Sequence, residues 1–105
     1  MPFDCTAMDA PTQFLLELRD RLTPENWRPY PVSNRRDFDA GRGCLIQQFH
    51  HVVRHRRPCP RDVVPAVHRR LLDAAGCKRF DDLARFNDGH TLDEVCTLVD
   101  RAIAG

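Results

Sequence analysis

The stretch that decides the fold is CLIQQFHHVVRHRR, residues 44–57. Its apolar side chains recur at helical spacing and fall within one third of a helical circumference; they are Leu45, Ile46, Phe49, Val52 and Val53. Pro58 follows and cannot continue a helix. We therefore predict a helix from about Cys44 to Arg57 whose apolar face enters a core, while its imidazoles and guanidiniums face water.

Two further helices frame this segment. Residues 10–22 carry an apolar stripe, and Asp9 can cap their first turn. Residues 65–75 begin with a proline, carry a second stripe, and meet Gly76 at the position of a left-handed cap. Polar side chains define the outer face of this helix: Arg69, Arg70 and Asp73. Both patterns predict amphipathic helices.

The segment 28–43 is irregular and contains two prolines and two glycines. We predict an ordered loop there rather than a linker, because the aromatic residues in and beside it need packing partners; these are Trp27, Tyr30 and Phe38. Gly41-Arg42-Gly43 lacks a preceding strand and the glycine spacing of a nucleotide-binding loop, so it indicates a flexible helix entry.

The C-terminal part predicts a helical turn over 80–86, then the turn Asn87-Asp88-Gly89. Thr91 and Glu94 have the spacing of a capping box and start a last helix, whose apolar stripe, about 120° wide, suits docking in the monomer core. No run alternates apolar and polar residues for long enough to predict a strand. The fold is therefore predicted to be all-α. We expect a single domain over residues 1–105, a small bundle of four to five short helices with an irregular loop between the first and second, preceded by a mobile N-terminus at 1–8.

Composition excludes several protein classes. An apolar fraction of 42% and a charged fraction of 30% are ordinary for a globular domain, and no apolar run approaches the roughly 18 residues that cross a bilayer. The start of the chain lacks a secretory signal, so we expect a cytosolic protein. The five cysteines form no Cys-x-x-Cys pair, which favours reduced thiols over a disulfide framework or a zinc ribbon; they are Cys5, Cys44, Cys59, Cys77 and Cys96.

The net charge of the chain is +1, but the charge is distributed unevenly along the sequence. Residues 1–26 sum to −3, residues 50–70 to +5 and residues 80–105 to −4. The acidic ends either close on the basic centre in the fold or leave it free for a partner. We predict a monomeric, non-enzymatic interaction or regulatory protein that binds an acidic protein partner through Arg54, Arg56, Arg57, Arg61, Arg69 and Arg70. Nucleic acid is the less favoured partner, since a pI near 7.7 indicates no strongly basic domain.

The alternative is a small metal-dependent or Cys/His enzyme. His51 and His55 are four residues apart and share a face opposite the apolar stripe, so they are predicted to be accessible and to hold a zinc ion together with Cys59. Arginines beside them repel a cation, and two solvated histidines explain the same pattern. Cys44 is either a thiolate activated at a helix N-terminus or a small packing residue.

Several positions between Trp27 and Ala102, about three quarters of the chain, form a recurring layout: Trp27, Cys44-Leu45, Phe86-Asn87-Asp88, Thr91, Glu94-Val95 and Ala102. This layout resembles an uncharacterised family of small proteins of actinobacteria and their phages. Phe86 stands where that family usually has Trp, and Ile46-Gln47-Gln48 replaces a stretch of small residues. The resemblance implies a helical fold in which Cys44 and Asn87-Asp88 serve the architecture, and it implies no activity.

Overall fold

The computed structural model describes residues 9–56 and 61–105, so the predicted mobile N-terminus at 1–8 lies outside the described residues. Within these ranges the chain forms no strand, and its helices are α1 (Ala10–Arg21), α2 (Arg35–Asp39), α3 (Leu45–His55), α4 (Val63–Ala75), α5 (Phe80–Gly89) and α6 (Leu92–Ala104). The predicted all-α fold is confirmed. The structure adds α2, a five-residue helix inside the segment that was expected to be irregular.

The predicted helix ends agree with the structure wherever the signal is local. Asp9 Oδ1 accepts a hydrogen bond from Thr12 N at 2.9 Å and caps α1. Thr91 N donates to Glu94 Oε1 at 2.9 Å and Glu94 N donates back to Thr91 Oγ1 at 3.3 Å, which completes the capping box of α6. Gly76 ends α4 with φ +69°, a left-handed conformation that glycine adopts without a steric penalty.

The core lies where α1, α4 and α6 pack against one another, with α3 against α1 and with α5 between α3 and α4. Phe14 of α1 and Phe49 of α3 meet with ring centroids 5.0 Å apart, and both are fully buried. Burying a side chain of this size stabilises the fold by about 2 kcal/mol. Val99 of α6 is 0% exposed within the monomer, so the last helix docks in the core as predicted.

The predicted turn at Asn87 is wrong. The helix α5 continues through Asn87 to Gly89, and the buried Asn87 side chain has hydrogen-bond partners elsewhere in the fold. The central helix agrees with its prediction to within two residues, with Cys44 as its N-cap and Arg56 as its C-cap. Arg57 lies outside the described residues.

The prediction that Tyr30 and Phe38 pack against the fold is also wrong. They are 57% and 48% exposed, whereas Trp27 is half-buried against the core. Cys44, Cys77 and Cys96 are free thiols, and Cys5 and Cys59 lie outside the described residues. Across the part of the chain that the structure describes, the helices are too short or too polar to traverse a bilayer.

Candidate interaction surface

Part of the predicted basic surface is closed by the acidic N-terminal helix. Arg56, at the end of α3, forms an ion pair with Glu17 of α1, and its Nη2 donates to Gln13 Oε1 at 3.2 Å. The Arg56 side chain is 25% exposed as a result. The charge pattern left open whether the acidic ends pair with the basic centre or leave it free for a partner. For Arg56, the acidic N-terminal segment pairs with it.

Arg70 also serves the fold. Its Nε and Nη2 donate to the carbonyls of Ala102 at 3.0 Å and Ile103 at 2.9 Å, in the last turn of α6, where carbonyls lack partners within their own helix. Its Nη1 donates to Thr12 Oγ1 of α1 at 2.9 Å. Arg70 thus joins α4 to α6 and α1, and its place on the outer face of α4 was wrongly predicted, since its side chain is 22% exposed.

Three of the predicted arginines remain at the surface: Arg54, Arg61 and Arg69. Arg61 and Arg69 form no ion pair within the described residues, and both lie at or on α4. Arg54 lies near the end of α3, and its guanidinium carbon is 5.3 Å from the centre of the Phe38 ring. Arg61 and Arg69 are therefore exposed and form no ion pair within the described residues, and Arg54 is exposed beside Phe38.

A group of rings from α3, α4 and α5 lies at the edge of the core. Phe49, which is buried, contacts His68 of α4 with ring centroids 4.9 Å apart, and His68 stacks on Phe80 at 4.0 Å. Burial, followed by the nearby charge of His50, lowers the pKa of His68 below its usual value of 6.5. His50 is exposed and its ring centroid lies 5.8 Å from that of Phe49, so one exposed imidazole of α3 lies beside this group.

The loop before α3 is held by a buried glutamine that sequence reasoning did not identify. Gln48 is 0% exposed, and its Nε2 lies within hydrogen-bond distance of the carbonyls of Asn26 (2.9 Å), Gly41 (3.0 Å) and Gly43 (3.3 Å). Arg21 Nε donates to Gln48 Oε1 at 3.0 Å. The hydrogen bonds of Gln48 compensate for the loss of water around its buried amide. They also fix both ends of the loop on α3.

Gln47 holds the middle of the same loop. Its Oε1 accepts from Val32 N at 2.8 Å and its Nε2 donates to Val32 O at 2.9 Å, while the same oxygen accepts from Cys44 N at 3.1 Å. Gly43 has φ +154°, and a Cβ there would overlap the Gln47 side chain. A glycine is therefore required beside this glutamine, for space as well as for backbone conformation.

Asn87 joins two other positions that carry the resemblance, Trp27 and Leu45. Its Oδ1 accepts from Trp27 Nε1 at 2.6 Å and from Leu45 N at 3.0 Å, and its Nδ2 donates to Arg28 O at 3.2 Å. Leu45 is the first residue of α3, so Asn87 satisfies an amide that has no partner within its own helix. The structure therefore gives Asn87 an architectural role.

His51 and His55 stack with ring centroids 4.1 Å apart, in a groove of about 350 Å³ between α1 and α3. His55 is exposed, but His51 is half-buried, so its predicted accessibility is only partly correct. Burial, then the charges of Arg21, His55 and Arg54, lowers the pKa of His51 to about 4. Within residues 9–56 and 61–105 no three His, Cys, Asp or Glu side chains are grouped to hold a metal, and Cys59 lies outside these ranges.

Cys44 is 3% exposed and lies between the loop and the start of α3. A thiol buried in this way is a packing residue rather than an accessible nucleophile. Tyr30 and Phe38, in contrast, are surface residues that the sequence reading assigned to the interior. The available signal was the pair of prolines around Tyr30 and the run of charges around Phe38, both of which are typical of exposed chain.

Comparison with known protein families, curated proteins and solved structures found no match to this chain. The likeness to the family of actinobacteria and their phages therefore stays a prediction. The function must be argued from the residues themselves.

Proposed function

We propose that this chain is a cytosolic, non-enzymatic interaction or regulatory protein that binds an acidic protein partner through the basic surface of α3 and α4. Of the six arginines predicted from the sequence, Arg54, Arg61 and Arg69 are the contact residues within the described part of the chain. Arg56 and Arg70 contribute positive potential, but their guanidiniums are engaged in helix packing.

The observation that supports this proposal most is the contrast within one set of arginines. Arg56 and Arg70 each have a partner within the fold. Arg56 pairs with a carboxylate of α1, and Arg70 donates to carbonyls at the end of α6. Arg61 and Arg69 are exposed without such a partner among the described residues, so their charges serve neither the core nor a helix end. Exposed basic groups of this kind raise association rates with acidic partners and give specificity for them.

The test compares two double charge reversals of equal net charge. Arg61→Glu with Arg69→Glu reverses the proposed surface, and Arg85→Glu with Arg101→Glu makes the same change on the exposed sides of α5 and α6. Each protein is immobilised and used to capture proteins from a lysate of the source organism, which are quantified by mass spectrometry. We expect the first variant to lose the acidic proteins that the native chain retains, and the second variant to retain them.

Both variants should keep the thermal melting curve of the native chain, because single surface substitutions of this kind change stability by about 0.5 kcal/mol or less. Equal capture by the native chain and by the Arg61 and Arg69 variant would refute the proposal. Equal loss in both variants would also refute it, since binding would then follow net charge and not this surface.

One observation favours the alternative, a metal-dependent protein. With a pKa of about 4, His51 is a neutral imidazole at neutral pH and can ligate zinc without first losing a proton. Arg21, which lines the same groove, opposes a cation there, whereas the carboxylates of Glu17 and Asp20 also line it and favour one. Titration with zinc decides between the two: one ion bound per chain, lost in His51→Ala with His55→Ala, would establish the alternative.

A further inference from the structure

Two large aromatic side chains stand at the surface of a loop that is otherwise firmly held. Tyr30 is 57% and Phe38 is 48% exposed. The α2 helix, which carries Phe38, buries none of its residues. The loop owes its order to polar contacts with α1 and α3, including those of Val32 and Gly41, and not to the burial of its own aromatic rings.

The end of the loop is fixed in the same way. Asn34 Oδ1 accepts from Asp37 N at 2.8 Å and caps α2, while Arg42 Nη1 donates to Asp37 Oδ1 at 2.9 Å. Arg21 Nη2 donates to the carbonyl of Gly41 at 2.6 Å. These bonds fix the backbone that carries Phe38. An exposed aromatic on a fixed backbone is the kind of residue that contributes strongly to the binding energy of protein interfaces.

Positive charge lies beside the Phe38 ring. The Arg54 guanidinium lies 5.3 Å from the centre of the Phe38 ring, and Arg36 is exposed on the same short helix. The two carboxylates of α2 each face an arginine: Asp37 pairs with Arg42, and Asp39 lies 3.4 Å from Arg35. The surface as a whole is therefore aromatic and net positive, with its acidic groups already compensated.

We propose that Phe38 and Arg54 form the anchor of an interface for an acidic protein segment that carries an aromatic or large aliphatic side chain between its carboxylates. The apolar side chain covers Phe38, while the carboxylates meet Arg54 and Arg36. This inference rests on the proposed function, because Arg54 belongs to both surfaces, and it specifies the partner's chemistry. A nucleic acid fits less well, since a pI near 7.7 indicates no strongly basic domain.

The probe is a display library of random twelve-residue peptides, selected on the purified native chain. We expect the enriched peptides to combine Asp or Glu with Phe, Tyr, Trp or Leu. The dissociation constant of the best peptide is then measured by fluorescence anisotropy. Phe38→Ala should weaken binding about tenfold, as the loss of an interface anchor does, while Phe38→Tyr, which keeps the ring, should change it less than about threefold. Because the Phe38 side chain is 48% exposed, the melting curves should not change.

Three results would overturn the inference. The first is that the enriched peptides do not combine acidic with large apolar residues, or that Phe38→Ala binds the best peptide as tightly as the native chain does. The second is tighter binding of an oligothymidylate that competes with the peptide, which would make nucleic acid the ligand. The third is concentration-dependent self-association in sedimentation that Phe38→Ala abolishes, which would make a second copy the occupant. If the best peptide depends on Arg61 and Arg69 but not on Phe38, this inference fails while the proposed function stands.

Discussion

Replacing Asn87 with alanine should destabilise the chain more than any other change of a single polar side chain in α5. Asn87 is 0% exposed and holds three groups from outside its own helix: Trp27 Nε1, Leu45 N and Arg28 O. Alanine removes all three hydrogen bonds and leaves the Leu45 amide at the start of α3 without its acceptor.

The magnitude follows from these groups. A buried donor left without a partner costs about 1–3 kcal/mol, and Leu45 is 1% exposed, so its amide has little access to water. Trp27 and Arg28 are half-buried, so water can replace part of the hydrogen bond that each loses. The cost of losing each bond is then about 0.5 kcal/mol. The better helix propensity of alanine returns about 0.6 kcal/mol. The expected net loss for Asn87→Ala is about 2–3 kcal/mol, a large part of the roughly 5–15 kcal/mol that stabilises a domain.

The assay is urea denaturation followed by circular dichroism, in which this loss lowers the midpoint by about 1–2 M. Asp88→Ala is the matched control, because Asp88 is exposed on the same helix and gains the same propensity. It should stabilise the chain by no more than about 0.6 kcal/mol. If Asn87→Ala is as stable as this control, the reasoning is refuted, since the three groups would then find partners elsewhere. A double-mutant cycle with Trp27→Phe should give a coupling of about 0.5 kcal/mol.

Three further predictions follow from burial and conformation. Because the folded pKa of His51 is about 4 and an unperturbed imidazole has 6.5, the unfolded chain binds more protons between these values. The free energy of unfolding should therefore fall as the pH is lowered through this window, by at most about 1.4 kcal/mol per pH unit. In His51→Gln the urea midpoint should depend less on pH than in the native chain. Gly43→Ala, at φ +154° and against Gln47, should cost about 2 kcal/mol or more in the same assay, whereas Gly89→Ala, with open space around its Cβ, should be neutral or stabilising. Val99→Glu buries a carboxylate and should abolish the helical dichroism of the monomer rather than dissociate a dimer in sedimentation.

Much of the helical framework could be predicted because its signals are local. The caps at Asp9 and Gly76 and the capping box at Thr91 each depend on side chains within a few residues of the helix end. The α2 helix was missed although Asn34 and Asp37 have the capping spacing of a helix start. Five residues with no apolar stripe give no periodicity to detect.

The errors lie where distant contacts override local preference. Asn87-Asp88-Gly89 has the composition of a turn, but Asn87 stays helical because its partners lie 42 to 60 residues away in the chain. The charge pattern predicted a basic centre, yet it contained no information on which arginines the fold would engage. Arg70 contacts Thr12 and the end of α6, contacts that the sequence pattern does not encode.

Gln47 and Gln48 have a dynamic consequence for the loop over 26–43. Since both belong to α3 and hold loop carbonyls, the loop cannot detach without breaking contacts of the central helix. Amide hydrogen exchange in the bonded positions of the loop should therefore be nearly as slow as in α3 itself. A partner would then meet a surface that is already shaped, and association would lose little freedom of the backbone.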